Sequence, residues 1–235
     1  MNLDQMQTEL SLIVKDASLQ PFLTDWINNA ILEVATDFEL ASLRLIDPEA
    51  VTVDTSKWLW PMPADFHKRL LRAQWVGDDG TQHHIKVHDH ISALEYRDHT
   101  QTGDWVTEVA AGVQGGTGGV QTYLGIFPLA AQDINLWYYR KPAVLSKATD
   151  VCDCIPESFE PRVIYPRVII RNYKIIVDQV VDFAMNSGSL QYWKGEQMQG
   201  DLDLKNFFAK NYNKPRRTGG KDPIGPSRRH FRGYR

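Results

Sequence analysis

The sequence predicts an α+β chain: a helical bundle of two N-terminal and two C-terminal helices, an inserted small antiparallel β unit, and an extended basic C-terminal tail. Three observations carry this reading. Apolar residues recur at helical spacing at both ends of the chain. The middle consists of short segments rich in Val, Ile, Trp and Tyr, each bounded by Gly, Pro or Asp. From Lys214 the composition turns to Arg, Lys, Gly and Pro, which cannot build a core. Runs of helix and strand segregated in this way mean α+β and not a βαβ sheet. The expected organisation is one folded domain over 1–213, helical over 1–48 and 156–213 with the β region at 49–145 between them, followed by a flexible tail over 214–235.

Each element has its own signal. Over residues 3–15, Leu3, Met6, Leu10, Ile13 and Val14 keep a loose helical spacing. The next helix is cleaner: Leu23, Trp26, Ile27, Ala30, Ile31, Val34 and Phe38 form one face of a 3.6-residue period. Pro21 suits its first turn, and Asp47-Pro48 closes the stretch after it. Asn28 and Asn29 fall in its polar stripe. The segments "AVTVD", "KWLW", "RLLRAQWV", "WVTEV", "QTYLGIF" and "DINLWYYR" read as strands. Asp79-Gly80 predicts a hairpin turn, and "GIFPLAAQDINLW" reads as a second hairpin. "GVQGGTGG", from Gly112 to Gly119, reads as a mobile loop. "RVIIRNYKIIVDQVVDFAM" predicts a helix apolar on most of its circumference, hence buried on several sides. "SGSL" breaks it, and a last helix carries Leu190, Trp193, Leu204, Phe207 and Phe208, weakened by Gly195 and Gly200.

Bulk composition fits a soluble globular protein: 235 residues, 43% hydrophobic, 23% charged, formal net charge −3. No apolar run approaches the ~18 residues of a membrane span. The opening "MNLDQMQTEL" does not resemble a signal peptide. Cys152 and Cys154, in "CDC", are too close in sequence for ordinary disulfide geometry and point to a reducing compartment. The net charge conceals an asymmetry. Of the 26 Lys/Arg, eight lie from Lys214 onward, against one, Asp222, of the 29 acids, so the tail carries +7 and the body −10. A tail of this kind meets something anionic or serves as a solubilising terminus.

Catalytic templates are missing. The nearest approach to a phosphate-binding loop ends at Gly220-Lys221, where Pro215 stands for the first glycine and Asp222 for the hydroxyl residue. G-x-S-x-G, HExxH and CxxC do not occur. In "HHIKVHDH", an extended chain places His84, Lys86, His88 and His90 on one face, with Ile85, Val87 and Ile91 on the other. His83, Asp89 and His99 lie nearby. Imidazoles so spaced can chelate a metal, but Lys86 in the row repels a cation, so the row reads as the polar face of an edge strand. "CDC" reads as a plain loop. Trp58, Trp60, Trp75, Trp105, Trp137, Tyr138 and Tyr139 could stack on single-stranded nucleic acid, but they lack interleaved cations and read as core of the sheet. No cofactor, metal or catalytic residue is assigned.

The order of segments carries a resemblance. The helix "FLTDWINNAILEVATDFELASLR", the "PMPADF" turn from Pro61 to Phe66, the "WYYRKP" strand end from Trp137 to Pro142, the "IPE" from Ile155 to Glu157 opening a long helix, and a Trp-bearing last helix succeed one another. In this order, from Leu19 to Tyr212, the chain resembles the head-to-tail adaptor, or connector, proteins of tailed bacteriophages. The histidine row, "CDC" and the glycine-rich stretch lie outside the pattern. The resemblance implies a non-enzymatic virion protein of the neck, made in the host cytoplasm. Such proteins form a homo-oligomeric ring, commonly of twelve copies, below the portal protein and above the next tail or neck component, with packaged DNA passing through the centre. The tail then reads as the anchor to the portal, through Arg216, Arg217, Arg228, Arg229, Phe231, Arg232, Tyr234 and Arg235, its arginines pairing with carboxylates and its aromatics filling pockets. A DNA-binding module using the basic tail and a metal-dependent enzyme at the histidine row stand as the other readings.

Overall fold

A computed structural model of the chain describes residues 1–77, 79–116, 119–180 and 182–212. The elements run α1 (Leu3–Val14), α2 (Gln20–Asp37), β1 (Glu49–Val53), β2 (Leu59–Pro61), β3 (Phe66–Val76), β4 (Gln82–His88), α3 (Ser92–Glu95), β5 (Glu108–Gly116), β6 (Gly119–Phe127), β7 (Gln132–Arg140), α4 (Glu160–Gln179), α5 (Phe183–Asn186) and α6 (Leu190–Tyr212). The expected helical bundle with a small β insertion is wrong. The seven strands form one nearly closed, barrel-like sheet in the order β1-β7-β3-β4-β5-β6-β2, accompanied by six helices among the described residues. The physical reason is that the middle of the chain builds a core of its own. Val53, Phe66, Leu70, Ala73, Ile85, Val109, Leu124, Ile126, Ile134, Leu136 and Tyr138 are buried together inside the sheet, separate from the helical core.

Two of the local expectations fail for the same reason. "GIFPLAAQDINLW" is not a hairpin: β6 pairs with β5 and β2, whereas β7 pairs with β1 and β3. Nor is "GVQGGTGG" a loop over its described residues. Its described residues belong to strands, Gly112 to Gly116 to β5 and Gly119 to β6, in a ladder that runs from Glu108↔Phe127 to Gly116↔Gly119. Gly112 is required there by packing, since a Cβ would lie 2.5 Å from the Ile91 side chain where the α3 segment crosses the sheet face. The β3–β4 hairpin does form, with Gly80 at φ +78 in the turn.

The helical half packs α1, α2, α4 and α6 around Leu10, Leu23, Ile27, Ile31, Val34, Val163, Ile164 and Val168. An Asn2 capping box starts α1. Ile27 is fully buried, while Trp26 is half-buried against the cluster and stacks on Phe22. Asn28 leaves the polar stripe to fasten the strand-to-helix connection: its amide donates to the Leu145 carbonyl and its carbonyl accepts from the Leu145 N–H, both at 2.9 Å. On α6, Gly200 lets the helix lie against α4, where a Cβ would collide with the Arg162 carbonyl oxygen.

The two halves meet at the C-terminus of α2. The β3 ladder with β7 slips between Phe66 and Arg72, and Arg69 sits there at φ +40. This bulge aims the Lys68 ammonium at α2, where it donates to the carbonyls of Ala35, Thr36 and Phe38 at 2.6, 3.0 and 2.7 Å. A cation on the last carbonyls satisfies groups the helix cannot and complements its dipole.

Candidate interface surfaces

The residues expected to carry function are scattered. Arg216, Arg217, Arg228, Arg229, Phe231, Arg232, Tyr234 and Arg235 lie outside the described residues. The histidine row is kept in part: β4 exposes His84 and Lys86 on the face opposite Ile85, but it lies between β3 and β5 and is not an edge strand, and His90 falls beyond its end. Ile85 points into the core as expected, but His88 is half-buried and contacts Glu108 at 2.9 Å. His83 stacks on Trp75, with ring centroids 4.1 Å apart, and His99 stacks on Trp58 at 4.0 Å. His84 and His90 are exposed. Among the described residues no group of three or more His, Cys, Asp or Glu is arranged to hold a metal ion.

The aromatics divide as well. Tyr138 and Tyr139 are fully buried. Trp58, Trp60 and Trp75 line the barrel core from its rim. Trp105 departs from the core reading: it is 48% exposed and stacks on the outer side of Trp75 at 6.0 Å. The Tyr138 hydroxyl lies between the carboxylates of Glu49 and Asp65, at 2.7 and 2.5 Å, and burial together with these two hydrogen bonds pushes its pKa well up. It is held as a neutral donor.

Cys152 and Cys154 are free, buried, and 3.5 Å apart at sulfur. The hydrogen bond from the Cys154 thiol, aided by backbone amides, holds Cys152 below the usual thiol range against its burial; the same contact and burial push Cys154 up. Their segment is stitched to the start of the chain by an Asn2↔Val151 bridge and a Leu3 N–H bond to the Asp150 carbonyl, 2.8 Å.

Two charged clusters were not foreseen. Arg167, 2% exposed, is surrounded by carboxylates from two other helices: Asp201 at 2.8 and 3.1 Å, Asp37 at 2.9 Å and Glu33 at 3.4 Å. It ties α2, α4 and α6 together. Its sequence context, "RVIIRNYKII", holds Arg171 and Lys174 as well, so nothing local marks Arg167 as the buried one. The second cluster centres on Glu108, which accepts from Arg97 and meets His88 and Lys86. Burial alone would raise the Glu108 carboxyl, but the hydrogen bonds from His88 and Arg97 outweigh it and hold it below the usual range. Glu39 behaves likewise, its burial outweighed by Arg69 and Tyr139.

Two surfaces remain as candidates for contact. One is a cleft of about 420 Å³ at the junction of the halves, with Asp37, Phe38, Arg44, Tyr139, Lys205 and Phe208 on its walls. It adjoins the end of α6, from which the basic tail departs. The other is the β5–β6 hairpin around Val113, which is 64% exposed.

Comparison with known families matches the chain over residues 1–204 to the SU10 adaptor protein family. The chain belongs to that family. It is therefore a phage adaptor-type structural protein, associated with the virion. No curated protein matches it. No helix among the described residues is long and apolar enough to cross a membrane.

Proposed function

We propose that this protein joins the portal of the phage head to the tail, as one subunit of a ring, twelve copies in the expected case, through which the packaged DNA passes. The observation that carries the reading is the family match across most of the chain. Three features support it. The body has charge −10 and the tail +7, so the wall of a DNA passage repels phosphate while the tail seeks an acidic neighbour. The helical half leaves Ile175, Met185, Tyr192, Met198 and Leu202 exposed, apolar side chains that a neighbouring subunit would cover. The cleft beside the α6 terminus offers an apolar and charged seat next to the root of the tail. On this reading residues 1–213 are the adaptor domain and 214–235 the anchor, with Phe231 and Tyr234 its pocket-filling residues.

The test is complementation of an adaptor-deficient phage. A chain lacking residues 218–235 should fold but yield no DNA-retaining tailed particles. Phe231→Ala with Tyr234→Ala should lower the yield more than loss of any single arginine, because an exposed ion pair contributes about 1 kcal/mol or less. A truncated chain that assembles at the wild-type level would reduce the tail to a solubility appendage.

A further inference from the structure

We infer that the solvent face of α6 in one copy seats the solvent face of α2 in the next, with Phe22 as the knob and the surroundings of Gly195 as the hole. The inference rests on the ring proposed above and names the two faces that close it.

The α6 face is a stripe that the subunit leaves uncovered. Gln191, Gly195, Met198 and Leu202 follow one another at intervals of four, three and four residues, so they lie along one line of the helix. All four are exposed, Met198 to 74%. The opposite line, through Trp193, Gly200 and Leu204, is buried in the subunit. Gly195 is the informative residue. Glycine inside a helix is destabilising relative to alanine. At Gly200 the close approach of α4 accounts for it, but nothing in the subunit lies within 4 Å of a Cβ placed at Gly195. A body arriving from outside accounts for it instead. Gly195, Met198, Gln199 and Leu202 bound a hole of the kind that a side chain of a facing helix fills. Gln199 is drawn to its flank by donating to Asp203 at 2.9 Å.

The α2 face supplies the knob. Phe22, Asp25, Asn29 and Leu32 follow at intervals of three, four and three residues and are all exposed, opposite the buried Ile27, Ile31 and Val34. Phe22 is 52% exposed and braced by stacking on Trp26, with ring centroids 6.2 Å apart. Aromatic side chains held in this way are the usual anchors of interface cores.

The occupant is a second copy for two reasons. The first is charge. α2 contains no Lys, Arg or His. Of its three acids, Glu33 and Asp37 are engaged by Arg167, which leaves Asp25 on the open face with no partner among the described residues. On α6 the sign is reversed. Asp201 and Asp203 are engaged by Arg167 and Arg162, and Glu196, two positions from Lys194, faces away from it. Lys194 and Lys205, eleven residues apart and therefore on one flank, stand exposed beside the stripe, Lys205 leaning toward the Phe38 ring at 5.7 Å. With Phe22 in the hole, Asp25 comes beside Lys205 if the two helices run parallel, and beside Lys194 if they run antiparallel. The second reason is geometry. Both helices pack on α4, which lies between them, so their open faces are different surfaces of one subunit. A contact between two different faces is heterologous, and repeated about an axis it closes a ring.

The experiment compares purified full-length chains by native mass and electron microscopy. Gly195→Leu fills the hole and Phe22→Ala removes the knob. The expected result is closed rings for the wild type and folded single subunits for both variants. Asp25→Lys should also stay single, and should regain rings when Lys194→Asp and Lys205→Asp are added, a rescue that damage to the fold would not show. Mixed Phe22→Cys and Met198→Cys chains, joined by a short bis-thiol reagent, provide an independent readout: cross-links should form between the two kinds of chain and not within either kind. Gly195→Leu and Phe22→Ala chains that close rings as the wild type does, or rings without 22-to-198 cross-links, overturn this interface while leaving the ring intact. Variants that close rings but no longer hold the portal protein overturn it too, because the face would then belong to the portal. A wild type that forms no ring, alone or with portal protein, overturns the ring reading and this interface with it.

Discussion

Arg167 concentrates the energetics of the helical half in one side chain. A guanidinium at 2% exposure is tolerable only because Asp201, Asp37 and Glu33 surround it. Arg167→Ala leaves these carboxylates facing one another around a void and should lower stability by about 3–5 kcal/mol, read as a shift of the denaturation midpoint. A loss below about 1 kcal/mol would mean that the three helices are not held through this residue. Glu108 makes a pH-dependent prediction. Its folded pKa is depressed, so its contribution is present above the unfolded carboxylate value and lost as pH falls through the folded one. Glu108→Gln should therefore be less stable than the wild type at pH 7, with the gap closing below about pH 4. A gap that persists unchanged into acid would assign the loss to packing instead. Neither cluster announced itself in the sequence. Arg167 draws its partners from residues 33, 37 and 201, and Glu108 draws on 86, 88 and 97, separations that no local spacing reveals.

Among the elements, the helices were legible and the sheet was not. The apolar period of α2 and the dense face of α4 are properties of one segment read alone, and helices appear there, although α4 ends at Gln179, short of the Met185 to which the pattern ran, and a separate short helix spans Phe183–Asn186. Strand partnership is not local. "GIFPLAAQDINLW" has the composition of a hairpin, yet β6 pairs with β5 and β2 while β7 pairs with β1 and β3. The glycines of "GVQGGTGG" signal flexibility by type, whereas at Gly112 the missing side chain is what admits Ile91. The same ambiguity gives a test on α6. Both Gly195 and Gly200 depress helix propensity, but nothing lies within 4 Å of a Cβ at Gly195, whereas one at Gly200 would meet the α4 backbone. Gly195→Ala should raise thermal stability, by up to about 1 kcal/mol. Gly200→Ala should lower it, because a helix displaced from its partner outweighs that gain. If both substitutions stabilise, the close α4–α6 approach is wrong.

For the molecule as a whole, membership of the adaptor family gives the segregation of charge a purpose. A body of −10 should bind duplex DNA poorly, and any residual binding by the isolated chain should come from the tail and fall steeply with salt. Tight, sequence-selective duplex binding by the monomer would favour the DNA-binding reading. The most informative experiment is to count copies in the assembly itself, by electron microscopy of the purified chain mixed with the portal protein. The adaptor reading predicts a closed ring, twelve subunits in the expected case, seated coaxially on the portal with an open central channel. A chain that stays monomeric beside the portal, or that binds it without forming a ring, would contradict it.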